Sequence, residues 1–225
     1  MRRCTHRFLG RIGYAEATAL QEGIARRVKE GAVDAEELLL LEHPPIITLG
    51  RNAREADVLA GEEALRALGV GVERTDRGGQ VTYHGPGQLV GYPILSLSPD
   101  RRDVARYLRD LEEVLIRALG RIGIAAERRP GLTGVWVGEE KIAAIGVHLS
   151  RWVTTHGFAL NATTDLSHFD LIVPCGQRAR EVTSIGRILG RSIRIEEVAA
   201  AVVPEFGVVF ERQMVPAPDA RREAC

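Results

Sequence analysis

Apolar residues recur at helical spacing over Tyr14–Lys29, where Ala17, Leu20, Ile24 and Val28 share one face, and this period predicts an amphipathic helix. The pattern then changes. Glu37–Glu42 encloses four consecutive leucines and ends at His43-Pro44-Pro45, so it reads as a short buried strand, with Ile46–Leu49 as a second one before Gly50. Residues 61–68 are helical in pattern and residues 70–75 extended. Residues 80–84 and 89–97 read as strands on either side of a Gly85-Pro86-Gly87 turn. The longest helix is predicted to begin near Asp103, with Val104, Leu108, Leu111, Leu115, Ala118 and Ile122 on one side. After Pro130-Gly131 come three strands, over residues 133–137, 141–149 and 154–161, the first two joined through Gly138, Glu139 and Glu140. A helical turn near Leu166 leads to Pro174-Cys175-Gly176, and residues 193–210 supply a helix-and-strand unit. Hairpins outnumber βαβ units, so the expected class is α/β of the α+β kind, a mixed and largely antiparallel sheet flanked by helices. The expected organisation is one domain over residues 1–215, then a polar, frayed tail over 216–225.

With 45% hydrophobic and 27% charged residues, the composition is that of a soluble globular protein with a sizeable core. Thirty basic and thirty acidic side chains give no net charge, which argues against general nucleic-acid binding. No apolar run is long enough for a membrane span, and residues 1–6 lack the apolar stretch of a signal peptide. A cytoplasmic setting is expected. The three cysteines, Cys4, Cys175 and Cys225, are odd in number and far apart, with no Cys-x-x-Cys, so neither a disulfide framework nor a zinc site is suggested. The six histidines are singletons without metal-ligand spacing; His84 and His156 stand near other polar residues and the rest read as structural or surface groups. Of the thirty basic residues only Lys29 and Lys141 are lysines. Arginine keeps its proton, whereas lysine can release one, so a lysine kept in such a background is a candidate for amine chemistry. Lys29 lies near the end of a polar helix, but Lys141 opens the apolar run Ile142-Ala143-Ala144-Ile145-Gly146-Val147.

Three segments carry candidate chemistry. In residues 77–88, Arg77, Gln80, Tyr83, His84 and Gln88 crowd around two glycine clusters that permit close backbone approach to a ligand. This is neither a P-loop nor a dinucleotide-binding turn, and the glycines alone favour a pair of tight turns on a hairpin; the polar residues around them tip the balance toward a ligand site. In residues 172–176, Cys175 sits between a proline and a glycine after an apolar strand. A thiol there is either a small buried hydrophobe or a nucleophile activated by a nearby cation. Cys4 is expected in a loose N-terminus and Cys225 is the last residue, so Cys175 is the nucleophile candidate by elimination. In residues 134–161, the small side chains of Ala143, Ala144 and Gly146 leave room above a strand, as the wall of an acyl site requires, or pack it closely against a neighbour.

Taken together, the stretches 77–88, 141–146, 156–161 and 174–176 resemble the lipoyl(octanoyl) transferase family, in the same order and across residues 38–189. The resemblance implies the biotin/lipoate protein ligase-like fold. It also implies transfer of octanoate from octanoyl-acyl carrier protein to a lysine on the lipoyl domains of 2-oxoacid dehydrogenases and the glycine cleavage H protein. It places the nucleophile at Cys175 and the essential lysine at Lys141. The acyl-binding stretches fall on Arg77, Gly78, Gly79, Gln80, Val81, Thr82, Tyr83 and His84, on Ala144, Ile145 and Gly146, and on Gly157, Phe158 and Ala159. No metal or other cofactor is implied, and a monomer is expected, with no nucleic acid or membrane as partner. His148 is assigned no role.

In the implied mechanism, Cys175 attacks the carrier-bound thioester and forms an octanoyl-enzyme, which the amine of the lipoyl-domain lysine then resolves to an amide. Lys141 as ammonium favours the thiolate; once that charge is gone, it can accept a proton from the attacking amine. Arginine could serve only the first step. Because a thioester is already activated, ATP is not needed. The alternatives are an ATP-dependent lipoate or biotin protein ligase on the same fold, a non-catalytic lipoyl-domain-binding protein, and a cysteine hydrolase. The lone Pro174-Cys175-Gly176 turn disfavours the ligase, the pairing of Cys175 with Lys141 disfavours the binding protein, and the lack of a visible histidine partner disfavours the hydrolase.

Overall fold

The leucine run lies where both faces of a sheet are covered. Leu38 and Leu40 belong to one core and Leu39 and Leu41 to another, which is why the strand shows no polar alternation. The computed structural model describes residues 1–32, 34–99, 101–173 and 182–217. In chain order these form β1 (Arg2–Arg11), α1 (Tyr14–Lys29), β2 (Glu37–Glu42), β3 (Ile46–Leu49), α2 (Glu62–Ala67), β4 (Gly71–Arg74), β5 (Val81–His84) and β6 (Gln88–Ile94). There follow α3 (Val104–Arg121), β7 (Glu127–Arg129), β8 (Leu132–Val137), β9 (Glu140–Ser150), β10 (Val153–Asn161), α4 (Ile185–Leu189), α5 (Ile195–Phe210) and β11 (Arg212–Pro216).

Eight strands make one sheet in the order β11-β1-β2-β6-β10-β9-β8-β7, and β4-β3-β5 make a smaller one. β1 runs parallel to both β11 and β2, while β2, β6, β10, β9, β8 and β7 are antiparallel in succession. The sheet is therefore mixed, as the excess of hairpins predicts. α3 and α5 bury one face through Leu111, Leu115, Val198 and Phe206 against Leu38, Leu40, Leu89 and Leu160. α3 starts where the Asp103 side chain accepts a hydrogen bond from the Arg106 N–H, capping the helix. On the other face, α1 sets Ala17 and Ile24 against Leu39, Leu41, Val90 and Ile94. The small sheet has its own core of Ile47, Leu49, Val81, Tyr83 and Phe169. It joins the large sheet through the Gly78 N–H bond to Val147 O and the packing of His84 on Tyr14.

Several expectations need correction. The N-terminus is a paired strand, and Cys4 is fully buried in it, its thiol pushed up by burial and by Glu36. Cys4 is thus excluded as a nucleophile because it is buried and protonated, not because it is loose. Only Cys4 in β1 is buried, and the partners of β1 are distant in sequence, so no hydrophobic period marks the strand. Residues 195–210 are helix throughout, and the strand that follows runs to Pro216, across the boundary expected after residue 215. Finally, β5 and β6 do not form a hairpin: the chain passes from the small sheet to the large one at the Gly85-Pro86-Gly87 turn.

Candidate active site

The register of β9 and β10 sets Ala144 opposite Ala159 and Gly146 opposite Gly157. Opposed residues in antiparallel strands share a face, so these four form a two-by-two patch without bulk. Their neighbours Ala143, Phe158 and Leu160 turn to the helix-covered core. Above the patch is a cleft of about 600 Å³, a size suited to a small-molecule group. Of the residues read as acyl-binding, Arg77, Gly78, Gly79, Gln80, Val81, Thr82 and His84 line it from the small-sheet side. Ala144, Ile145, Gly146, Gly157, Phe158 and Ala159 line it from the large sheet, together with Lys141. Tyr83 does not reach it. Alternation along β5 turns that ring into the small sheet's core, stacked on His168 at 4.9 Å and edge-on to Phe169.

The loop that roofs the cleft is fixed by Arg77. Its guanidinium is buried and donates to Thr48 O at 2.7 Å, Thr48 Oγ1 at 2.8 Å and Gly78 O at 3.1 Å. Arg77 therefore holds its own loop against β3. The loop lies so close to β9 that a Cβ on Gly146 would stand 2.9 Å from Gly78 O and 3.2 Å from Arg77 Cδ. Glycine is needed there for that approach.

One end of the cleft is walled by rings that the sequence did not single out. Tyr14 and Tyr92 line it beside His84 and His156. His43 Nδ1–H donates to Ile12 O, and its Nε2 accepts from the Tyr92 hydroxyl, a neutral imidazole whose pKa burial lowers to about 4. His84 is lowered further, to about 3, by burial and by its proximity to His43. Its Nδ1–H donates to Gln88 Oε1, and Gln88 Nε2 donates in turn to Tyr83 O and Asn161 Oδ1. Asn161 Nδ2 donates to Thr183 O, and Thr183 N–H to Lys141 O. A buried chain of amides thus ties the glycine turn to the strand carrying Lys141. His156 adopts a left-handed backbone (φ 57°) and donates through Nε2–H to Asp76 Oδ1 at 2.7 Å. Burial lowers the His156 pKa, with Asp76 opposing. His148 lies at the rim, accepting from Arg51 Nη2 at 2.8 Å, with Nε2 3.5 Å from Asp76.

Lys141 reaches the cleft because of a β-bulge. Val135 pairs with Ala143 but Trp136 pairs with Lys141, so β9 carries one extra residue, Ile142, opposite β8. Strict alternation would put Lys141 on the helix-covered side with Ala143; the bulge re-aims it. Val182 bridges to Lys141 and also lines the cleft. Cys175, with Pro174 and Gly176, lies outside the described residues. The chain enters that interval at Val173, whose N–H bonds Asp57 O, and leaves it at Val182 beside Lys141. Among the described residues no group of three or more His, Cys, Asp and Glu could hold a metal, and no helix is long and apolar enough to cross a membrane.

This mixed sheet flanked by helices is the fold of lipoate and biotin protein ligases. The fold matches lipoate-protein ligase A bound with ATP (TM-score 0.73, 16% identity, 99% of this chain and 91% of that one). It also matches the biotin protein ligase of Aquifex aeolicus (TM-score 0.52, 14% identity, 94% and 70%). Within that class, residues 13–207 match the lipoyl protein ligase A/B catalytic domain, and the chain belongs to this family. Its curated relatives include the octanoyltransferase of Solibacter usitatus, 55% identical over 96% of this chain and 97% of that protein. The octanoyltransferase of Rubrobacter xylanophilus is 54% identical over 91% and 92%.

Proposed function

We infer that this protein is an octanoyltransferase of lipoate biosynthesis, working through an acyl-enzyme on Cys175 with Lys141 as its proton-handling partner. The observation that carries this reading is the two-by-two patch of Ala144, Ala159, Gly146 and Gly157 in the cleft that Lys141 enters. It occurs in a chain more than half identical to octanoyltransferases over nearly its whole length. An unbranched acyl chain has no polar group to recognise; it needs a smooth slot, and these four residues supply one.

The donor is octanoyl-acyl carrier protein. The Cys175 thiolate attacks the thioester carbonyl, a new carbon–sulfur bond forms, and the carrier's sulfur leaves with the proton of the Lys141 ammonium, which becomes a neutral amine. The amine of a lipoyl-domain lysine then attacks the octanoyl-enzyme. Its nitrogen bonds to the carbonyl carbon, the Cys175 sulfur leaves, and the amine's surplus proton passes to Lys141. Support for Cys175 comes from its place in the chain, between Val173 and the Val182 that pairs with Lys141. The Arg77 loop and the patch hold the acyl chain. Thr82 and His84 line the same wall, and His84, kept neutral by burial, presents no charge to an apolar substrate.

Intact-mass measurement tests the reading directly. Incubation with octanoyl-acyl carrier protein is expected to add one octanoyl group to the enzyme, and an apo lipoyl domain is expected to remove it. Cys175→Ala and Cys175→Ser are expected to show no adduct, and an adduct on either variant would place the nucleophile elsewhere. Free octanoate with ATP and magnesium is expected not to replace the acyl carrier; if it did, the protein would be a ligase.

A further inference from the structure

We propose that Trp136 is the positioning residue for Lys141, holding its ammonium in the cleft with a ring face in place of a carboxylate. The proposal rests on the reading of Lys141 given above. The bulge at Ile142 brings Lys141 directly opposite Trp136. Two residues before Trp136 on β8, and so on the same face, Gly134 leaves a trough for the lysine stem. A Cβ there would stand 2.7 Å from Ala143 O, 3.3 Å from Lys141 Cε and 3.5 Å from Cδ, so both the strand backbone and the lysine stem depend on the glycine. The stem runs past this trough, and Nζ lies 4.8 Å from the centroid of the Trp136 ring. Trp136 is itself buried, and Arg129 packs on the same ring at 4.8 Å while donating to Gly138 O, so the indole is clamped from β7.

The charges around Lys141 are otherwise spoken for. Arg129 pairs with Glu139 at 2.6 Å and Arg187 with Glu140 at 3.3 Å, and among the described residues no carboxylate pairs with Lys141 Nζ. A carboxylate would occupy an N–H of the ammonium and hold it in its charged form. A ring face attracts the cation through its quadrupole but is no partner for a transferred proton. Trp136 therefore fixes where Nζ sits while leaving its N–H groups for a thiolate and, once Nζ has given up a proton, its lone pair for the proton of an incoming amine. Neither Gly134 nor Trp136 needs to touch the substrate to do this.

The test uses the full-length enzyme with octanoyl-acyl carrier protein and an apo lipoyl domain, comparing wild type, Trp136→Leu, Trp136→Phe, Lys141→Ala and the double variant Trp136→Leu/Lys141→Ala. Trp136→Leu keeps apolar bulk and removes the ring face, and is expected to lower kcat on the order of tenfold. KM for the acyl carrier is expected to change by less than about twofold, since binding is not the step affected. Trp136→Phe is expected to recover most of the loss. In the Lys141→Ala background, Trp136→Leu is expected to cause no further loss of acyl-enzyme formation, because its effect passes through the lysine. Full activity of Trp136→Leu, equal loss in the Phe variant, or the same factor in both backgrounds would overturn the proposal. Lys141→Ala with wild-type rates would instead overturn the reading of Lys141 on which it rests.

Discussion

Lys141 differs from the arginines that dominate this chain in one property that matters at the proposed site: it can give up a proton and take it back. An arginine at residue 141 would still carry charge to a thiolate, but it could not receive the proton that the lipoyl-domain amine sheds. Lys141→Arg is therefore expected to separate the two half-reactions. Acyl-enzyme formation, followed by intact mass, should fall less than transfer to the lipoyl domain, followed by the rate at which that adduct disappears; equal losses would mean a single role. The candidacy of this residue was legible in composition, because two lysines among thirty basic groups is a strong bias. Its partner Trp136 was not. Both lie on strands two turn residues apart, but only the bulge at Ile142 sets them face to face, and a bulge leaves no trace in a hydrophobic pattern.

At the scale of elements, the sequence marked those whose period is set by burial. α1 and β2 have the bounds that the apolar pattern predicts, because each buries a regular face or a continuous run. It failed for β1 and β11, whose parallel pairing buries little side-chain surface. The small residues of β9 and β10 were visible as letters, yet whether they pack closely or leave space depends on register. Ala144 opposite Ala159 keeps that stretch of the cleft wall low, whereas Gly146 and Gly157 let the backbone of Gly78 and of Gly91 come close. That slot makes a specific expectation for Ala144→Leu. The added bulk would fill the patch, so rates with octanoyl-carrier should fall on the order of tenfold or more while a butyryl-carrier is used comparatively well, at a stability cost of about 1–3 kcal/mol. Competition between the two acyl carriers in one assay reads the preference directly, and an unchanged preference would place the acyl chain elsewhere in the cleft.

Across the whole molecule, the cleft is a joint between two sheets, and the groups at the joint are polar and buried. Tyr14, His43, Tyr92 and His84 form a ring cluster with both imidazoles held neutral, and His156 reaches Asp76 beside them. Of these only His84 and His156 stood out in the sequence; Tyr14, His43 and Tyr92 did not, since a tyrosine on a helix and another on a strand read as ordinary core. The cluster nevertheless couples the site to pH. Burial lowers the folded-state pKa of His43 to about 4, and that of His84 to about 3, below the ordinary imidazole value of 6.5. Between those values the unfolded chain binds more protons than the folded one, so stability is fully present above pH 6.5 and declines as the pH falls toward 4. For His43 alone the folded state is expected to be less stable by about 2 kcal/mol at pH 5 than at pH 7, with His84 adding in the same direction. Urea unfolding at the two pH values measures the sum. His43→Gln keeps a polar side chain but cannot titrate, so it should flatten the decline by roughly that amount of about 2 kcal/mol. If the variant loses stability equally at both pH values and leaves the slope unchanged, His43 is not one of the groups that the acid protonates. The decline would then fall to His84 and His156, whose values burial also lowers, because Asp76, held below the ordinary carboxylate value by His156, His148 and Arg51 against the upward push of burial, stays ionised across that range.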